Sequence, residues 1–226
     1  MMKKTELQPR LRMLADLVPP GARLADIGTD HGYVPVTLLL EGRIVSALAS
    51  DIAEDPLRHA RRTAEENGIE KGIKFRLAAG LNGCRPGEAD CYLIAGMGGE
   101  TIVHILEAAP WLKEENALLI LQPQTKQEEL RRWLTENGYR IEKEHLVLDK
   151  QVLYNIFLVR GGQSETLTEL ECYCGVRLAD DPLYRSYIDK QIRRIGQMCA
   201  GLAQAKGDNG DRLAALTKLM KELEEQ

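Results

Sequence analysis

The alternation of strand-like and helix-like segments over the first 160 residues constrains the fold most. Five short apolar segments are interleaved with amphipathic helical segments and with glycine or proline turns. The five predicted strands cover residues 24–28, 44–50, 73–77, 91–95 and 117–121. Residues 141–148 and 151–159 then alternate like a hairpin around Asp149-Lys150. This order predicts an α/β fold with a mostly parallel sheet, covered on both faces and ending in an antiparallel hairpin.

The C-terminal segment has a different pattern. Gly161 to Ser164 is a natural boundary, so we predict domains at residues 1–162 and 163–226. Apolar residues then recur at alternating spacings of three and four, which is typical of packed helices. They are Ile188, Ile192, Ile195, Cys199 and Leu202, followed by Leu213, Leu216, Met220 and Leu223. With a strong turn at 206–210, this predicts a helical coiled-coil hairpin.

Composition excludes several classes of protein. A formal net charge of -4 argues against binding nucleic acid by bulk electrostatics, although a local basic face remains open. The five cysteines include no Cys-x-x-Cys pair, so we expect neither a disulfide framework nor a metal site. We see no secretory signal and no membrane-spanning segment, and we expect a soluble cytoplasmic protein, either a monomer or a weak dimer.

The loop after the first strand is the first candidate binding site, because ligands of such sheets bind beyond the carboxyl ends of the strands. Its glycines, Gly28 and Gly32, allow a ligand to approach the backbone closely. Asp30 stands where a dinucleotide-binding loop has its second glycine, and its carboxylate would repel a pyrophosphate. It suits an amino-bearing ligand such as the methionine part of S-adenosyl-L-methionine. This disfavours a nicotinamide oxidoreductase.

Two further strand ends complete the candidate site. Asp51 ends the second strand, where a carboxylate can accept hydrogen bonds from ribose hydroxyls. Three glycines surround Met97 after the fourth strand, at 96, 98 and 99, and predict a floor lined by backbone. This floor lies opposite the first loop, where the reacting groups should meet.

Four motifs give the chain a family resemblance. They are Asp-Ile-Gly-Thr-Asp-His-Gly-Tyr at 26–33, Ser50-Asp51, Ile-Ala-Gly-Met-Gly-Gly at 94–99 and Leu-Gln-Pro at 121–123. Together they closely resemble the bacterial tRNA (adenine-22, N1)-methyltransferase family. The resemblance implies a Rossmann-like methyltransferase fold, S-adenosyl-L-methionine as cofactor and tRNA as partner. The tail also resembles the coiled-coil domain of that family.

The resemblance also implies roles for individual residues. Gly28, Asp30, His31 and Gly32 would surround the methionine moiety, Asp51 would bind the ribose, and Gly96, Met97 and Gly98 would line the site of methyl transfer. The full set of expected cofactor contacts is Asp26, Gly28, Thr29, Asp30, Gly32, Asp51, Ile52, Gly80, Gly96, Met97 and Gly98. The expected catalytic residues are Asp30, His31, Tyr33 and Met97.

One position departs from the family pattern. Family members tend to carry an acidic residue after the third strand, where it could bond the adenine amino group of the cofactor. Ala79 stands there in this chain. Loss of one such hydrogen bond should cost about 1 kcal/mol of binding free energy.

Cations available to tRNA phosphates are predicted on the helices of the first domain and on the tail. They are Arg58, Arg61, Arg62, Lys126, Arg131, Arg185, Lys190, Arg193 and Arg194. Two other functions stay open from the residues alone. One is a methyltransferase of a protein or small molecule, with the tail as a dimerisation arm. The other is a non-catalytic RNA-binding protein, which only Ala79 supports.

Overall fold

A computed structural model of the chain describes residues 6–205 and 208–226. Its sheet has seven strands in the order β3-β2-β1-β4-β5-β7-β6. The strands are β1 (Ala22–Ile27), β2 (Ile44–Asp51), β3 (Ile73–Leu77), β4 (Cys91–Met97), β5 (Leu118–Pro123), β6 (Tyr139–Asp149) and β7 (Val152–Gly161). The first five pair in parallel, and β7 is antiparallel to both β5 and β6. The predicted α/β fold with a terminal hairpin is confirmed.

Helices cover both faces of this sheet. They are α1 (Pro9–Leu17), α2 (Tyr33–Leu40), α3 (Glu54–Glu66), α4 (Gly99–Glu107) and α5 (Gln127–Glu136). One apolar core packs α4 and α5 against alternate residues of the strands, and a second packs α1, α2 and α3 against the others. Successive residues such as Leu93 and Ile94 therefore enter opposite cores, as strand geometry requires. Burial on both faces explains why the parallel strands read as continuous apolar runs.

The direction of winding reverses beside β1. The chain runs outward from β1 through β2 to β3, and it then returns to place β4 on the other side of β1. Ile27 at the end of β1 is paired with Ser50 of β2 on one side and Ile94 of β4 on the other. The loops that follow these three strands therefore meet at one edge, which is the expected ligand position.

Two of the boundaries that differ from the predictions lie at the ligand edge. The sequence predicts a helix from about Pro35 to Glu41, but helix α2 begins at Tyr33, because Gly32 adopts a left-handed conformation (φ +67°) that turns the chain directly into the helix. Strand β4 extends to Met97, because a bulge at Gly96 lets pairing with β5 resume beyond it.

The C-terminal segment forms three helices, α6 (Glu169–Cys174), α7 (Tyr184–Gln204) and α8 (Gly210–Glu224). Helices α7 and α8 pack together along the predicted apolar positions, except that Leu219 joins this core and Leu213 does not. The predicted turn at 206–210 lies partly outside the described residues. The sequence did not predict α6, which begins with a capping box between Thr168 and Glu171. Its residues and Leu146 of β6 share the core of the tail, so this segment packs onto the hairpin.

Candidate functional site

Two cavities open at the carboxyl edge of the sheet, on either side of Gly28. The first, of about 400 Å³, extends from Gly28 towards β2 and β3. The second, of about 320 Å³, extends towards α1 and α2. Both volumes lie in the range of small-molecule sites. The loops after β1 and β4, predicted to form the site, contribute to both cavities.

The first cavity is mostly apolar, with a carboxylate at one side. Asp51 and Ile52 line it from the end of β2, and Ala79 and Gly80 line it from the loop after β3. Backbone bonds fix this edge, since Asp51 O accepts from Ala78 N at 2.9 Å. An apolar slot beside a strand-end carboxylate fits a nucleoside, with its base in the slot and its ribose hydroxyls on Asp51.

The first cavity also contains residues that the sequence analysis missed. They are Asn82 on the turn after β3, and Thr101, His104 and Ile105 on α4. Asn82 lies three positions after Ala79, the residue that differs from the family pattern, and it lines the same cavity. Its amide oxygen is a possible hydrogen-bond acceptor there. No motif marks these residues, because a short 3-10 turn and the packing of α4 bring them to the cavity.

The second cavity is polar and is built on the loop after β1. Asp26, Thr29, Asp30 and Tyr33 are among its lining residues. Thr29 Oγ1 donates to Asp26 Oδ2 at 2.6 Å, so both side chains are fixed and buried. Asp30 is different, because its φ of +52° turns its side chain outward and leaves it 71% exposed. The cavity therefore offers one buried and one accessible carboxylate.

Burial raises the pKa of Asp26 to about 6. The Thr29 hydrogen bond opposes this rise, and the nearby charges of Asp51 and Asp30 add to it. A cationic amino group placed beside Asp26 would stabilise its ionised form. The amino-acid part of S-adenosyl-L-methionine carries such a group, so these residues fit the expected cofactor.

Met97 lies at the boundary between the two cavities. A Cβ atom on Gly28 would come within 2.3 Å of Met97 Cε, so any larger residue here would displace the end of the methionine side chain. Gly28 also has a φ of +75°, which other residues rarely adopt. Of the residues expected to form the floor, Gly96 lines the second cavity and Met97 the first, whereas Gly98 and Gly99 face the loop after β5.

Gly32 and Gly98 pack closely against neighbouring parts of the protein, and the expected cofactor contacts of both glycines stay predictions. A Cβ on Gly32 would meet Ala60 Cβ at 3.0 Å, so this glycine allows α2 to approach α3. A Cβ on Gly98 would meet Thr125 Oγ1 at 3.1 Å. Both glycines face neighbouring protein, and their conformations are explained by that packing.

Three aromatic rings stack at the edge of the second cavity. His31 lies between Tyr33 and His59, with ring centroids 5.1 Å and 4.9 Å apart and nearly parallel planes. His31 and Tyr33 line the cavity, as the loop predicts. His59 was missed, because it lies on α3 and reaches the others only through packing of α3 against α2.

The expected phosphate contact at Arg131 is wrong. Its side chain is fully buried and forms an ion pair with Glu144, so it cannot reach a phosphate. The other cations of the first domain are accessible. Arg58 and Arg62 pair with Asp55 and Glu66 on their own helix, Arg61 covers the ring of Phe75, and Lys126 pairs with Glu100.

The four tail cations do not form one face. Arg194 turns towards the first domain and lies 2.9 Å from the carboxylate of Glu128, and Lys190 donates to Leu153 O at 2.9 Å. These two hold α7 against the sheet domain. Arg185 and Arg193 are exposed, with Arg185 paired to Asp189. Helix geometry explains the split: at about 100° per residue, Lys190 and Arg194 lie only about 40° apart on α7, whereas Arg185 lies about 140° from Lys190 and Arg193 about 100° from Arg194.

Within residues 6–205 and 208–226, no group of three or more His, Cys, Asp or Glu side chains could hold a metal ion. No helix in the same part of the chain is long and apolar enough to cross a membrane.

The fold and the paired cavities define a methyltransferase domain, and the family described as "Methyltransferase domain" matches residues 7–157. The tRNA (adenine(22)-N(1))-methyltransferase of Bacillus subtilis is 33% identical over 86% of this chain and 79% of its own length. The chain belongs to this tRNA methyltransferase family.

Solved structures support the same assignment over the whole chain. The B. subtilis m1A22 tRNA methyltransferase TrmK has a TM-score of 0.85, with 29% identity, and the match covers 97% of this chain and 98% of that one. Streptococcus pneumoniae Sp1610 in complex with S-adenosyl-L-methionine has a TM-score of 0.83, also with 29% identity, over 96% of this chain and 97% of that one. The tail is thus included in both matches.

Proposed function

We propose that this protein transfers a methyl group from S-adenosyl-L-methionine to N1 of an adenine in tRNA, at position 22. The observation that carries the proposal is the junction at Gly28, where a nucleoside-shaped cavity meets a polar cavity containing two carboxylates. The named relatives act on this nucleotide, and the chain matches them from α1 through the tail.

The cofactor fits across the two cavities. Asp51 and Asn82 would hold the adenosine part in the first, and Asp26 and Asp30 would face the amino-acid part in the second. When bound, S-adenosyl-L-methionine would supply the methyl group, and its sulfur would keep the electron pair of the S–CH3 bond that breaks. Gly28 and Gly96 leave space at this point because they have no side chain.

Adenine N1 carries an in-plane lone pair in its neutral form, so it needs no deprotonation before it acquires the methyl group. The protein's main task is therefore to orient the base and exclude water. N1 is engaged in an adenine–uracil pair, which means that the target base must be unpaired or flipped out. Tyr33 and His31 present ring faces beside the cavity on which such a base can stack.

Asp30 is the acidic group best placed to face a cationic product, because its carboxylate is accessible within the second cavity. His31 Nε2 lies 3.6 Å from Asp30 Oδ1. These two residues are our candidates for receiving the proton that the methylated adenine loses from its exocyclic amine. Met97 acts as a positioning residue at the junction.

We assign residues 1–162 to cofactor binding and methyl transfer, and 163–226 to a helical domain that contacts tRNA. The exposed cations Arg58, Arg62, Arg185 and Arg193 are the proposed phosphate contacts. We also propose that the protein acts in the cytoplasm on its tRNA substrate, as a monomer or a weak dimer, which is consistent with one chain carrying both cavities.

The test is incubation of the protein with methyl-labelled S-adenosyl-L-methionine and an unmodified tRNA transcript, followed by nucleoside analysis. We expect label in 1-methyladenosine and none when the transcript carries guanosine at position 22. Asp30→Ala should lose most of the activity while its circular dichroism spectrum remains that of the wild type. Label in another nucleoside would overturn the proposed reaction.

A further inference from the structure

We infer that Gln124 determines the choice of adenine as target base, by hydrogen bonding of its side-chain amide to the N6 and N7 edge. The inference rests on the proposed function and names the residue that reads the base. Gln124 lies directly after β5 and lines the second cavity.

The bulge at Gly96 places this amide beside the floor of the site. Gly96 has a φ of +79°, and a Cβ there would point at Gln124 Nε2, 3.8 Å away, and at Arg10 Nη1, 4.0 Å away. Gly96, Arg10 and Gln124 all line the second cavity, so a side chain at position 96 would occupy part of it beside these two polar groups. The target base would enter the cavity from its open side.

Backbone bonds fix Gln124 relative to the site of methyl transfer. Gln124 N donates to Met97 O at 2.7 Å, and Gly99 N donates to Thr125 O at 2.9 Å. Gly99 permits this close approach, because a Cβ there would lie 2.5 Å from Lys126 O. The loops after β4 and β5 are thus joined on both sides of the floor.

The chemistry of the base selects the amide. N1 must face the methyl group, so the protein can read the target only through its other edges. The remaining N6–H donor and the N7 acceptor of adenine match the acceptor and donor of one glutamine amide, a recognised bidentate pair. Guanine presents acceptors at both O6 and N7, and its O6 would oppose the amide oxygen.

Among the other polar residues that line the cavity, Asp30 in its ionised form only accepts hydrogen bonds and Arg10 only donates them. The hydroxyls of Thr29 and Tyr33 and the ring of His31 can do both, but they lack the side-by-side donor and acceptor of an amide. Arg10 is also engaged, since Nη1 donates to Gln122 Oε1 at 2.9 Å and its guanidinium covers the ring of Tyr154 at 5.3 Å.

Two neighbouring glutamines provide a contrast. Gln122 and Gln127 donate their amides to Pro123 O, at 3.1 Å and 3.3 Å. Their side chains stabilise the turn after β5, while that of Gln124 faces the cavity. Gln127→Ala is therefore a matched control, because it removes the same side chain three residues further on, at the start of α5, without removing an amide from the cavity.

The test measures kcat/KM for tRNA carrying either adenosine or 7-deazaadenosine at position 22. In 7-deazaadenosine a C–H group replaces N7. We expect kcat/KM of the wild type to be about fivefold to tenfold lower with 7-deazaadenosine, because one hydrogen bond is lost. Gln124→Ala should be slower with adenosine and show no further loss with 7-deazaadenosine. Gln124→Glu, which keeps the acceptor but loses the N–H donor, should also lose sensitivity to N7.

Gln127→Ala should show the same loss of kcat/KM with 7-deazaadenosine as the wild type. Calorimetric binding of S-adenosylhomocysteine, unchanged in each variant, would show that the variants are folded. A wild type insensitive to N7, or a Gln124→Ala variant with the wild-type penalty, would overturn the inference while leaving the proposed function intact. Failure of the wild type to methylate the unmodified transcript would instead remove the proposed function, and this inference with it.

Discussion

Arg131 and Glu144 form a fully buried ion pair, with Arg131 Nη2 2.7 Å from Glu144 Oε2 and both side chains 0% exposed. The pair joins α5 of the sheet domain to β6 of the hairpin. The tail completes it, because Tyr187 OH lies 2.8 Å from the same guanidinium nitrogen and Val176 N donates to Glu144 Oε1 at 2.8 Å. The two proposed domains therefore share a buried polar network.

Removal of one member of this pair should destabilise the protein strongly. Glu144→Gln leaves the guanidinium buried without its countercharge, and we expect a loss of about 3–5 kcal/mol in the free energy of unfolding. Urea unfolding measures this loss of stability. The control is Arg132→Ala, one residue along α5, whose exposed pair with Glu169 should contribute about 0–1 kcal/mol. Equal effects in the two variants would contradict this account.

Binding of S-adenosylhomocysteine should depend on the ionisation of Asp26. Burial raises the pKa of this carboxyl to about 6 in the folded protein, above its unfolded value of 3.8. Ionisation of Asp26 therefore opposes folding, and its contribution to stability falls as the pH rises through this interval. The amino group of the ligand favours the ionised form, so affinity should rise with pH until about 6 and then level off.

Calorimetry between about pH 5 and pH 7.5 can follow this dependence, with a rise approaching about tenfold per pH unit below the pKa. Asp26→Asn removes the titrating group, and its affinity should be lower and should lose this rise. If the variant keeps the wild-type pH dependence, another group is responsible.

Asp51 should contribute to cofactor binding through the ribose hydroxyls. Asp51→Ala removes up to two hydrogen bonds, and we expect S-adenosylhomocysteine to bind more weakly by about 1–3 kcal/mol. Asp55→Ala is the matched control, because Asp55 is an exposed acid on the adjacent α3 that pairs with Arg58. Affinity unchanged in Asp51→Ala would place the cofactor elsewhere.

The tail cations should separate into two groups. A double substitution, Arg185→Ala with Arg193→Ala, should weaken tRNA binding and reduce the slope of log affinity against log salt by about 0.7 to 0.9 for each phosphate that the variant no longer neutralises. Arg194→Ala should lower the stability, because it leaves Glu128 without its partner, and should keep the wild-type slope. Binding titrations over a range of salt concentrations measure the affinity and the slope, and urea unfolding measures the stability. Identical slopes for the wild type and the double variant would show that Arg185 and Arg193 do not bind tRNA phosphates.

The sequence by itself determined the order of strands and helices and the position of the ligand edge. Local patterns are sufficient here, because apolar periodicity predicts most of the elements and glycine occupies most of the positions that have a positive φ. Three of the expected cofactor contacts, Gly28, Asp30 and Asp51, lie in the sequence at the ends of two strands that are adjacent in the sheet. Their position at the site could therefore be predicted without knowing any contact.

Only the tertiary structure decided which charged and polar side chains are free to act. Arg131 and Arg193 are both helical arginines in the sequence, yet one is buried against Glu144 and the other is exposed. Their difference depends on partners 13 or more residues away, which no local pattern contains. The same reason applies to Asn82, His59 and Gln124, because long-range packing brings each of them to the cavities.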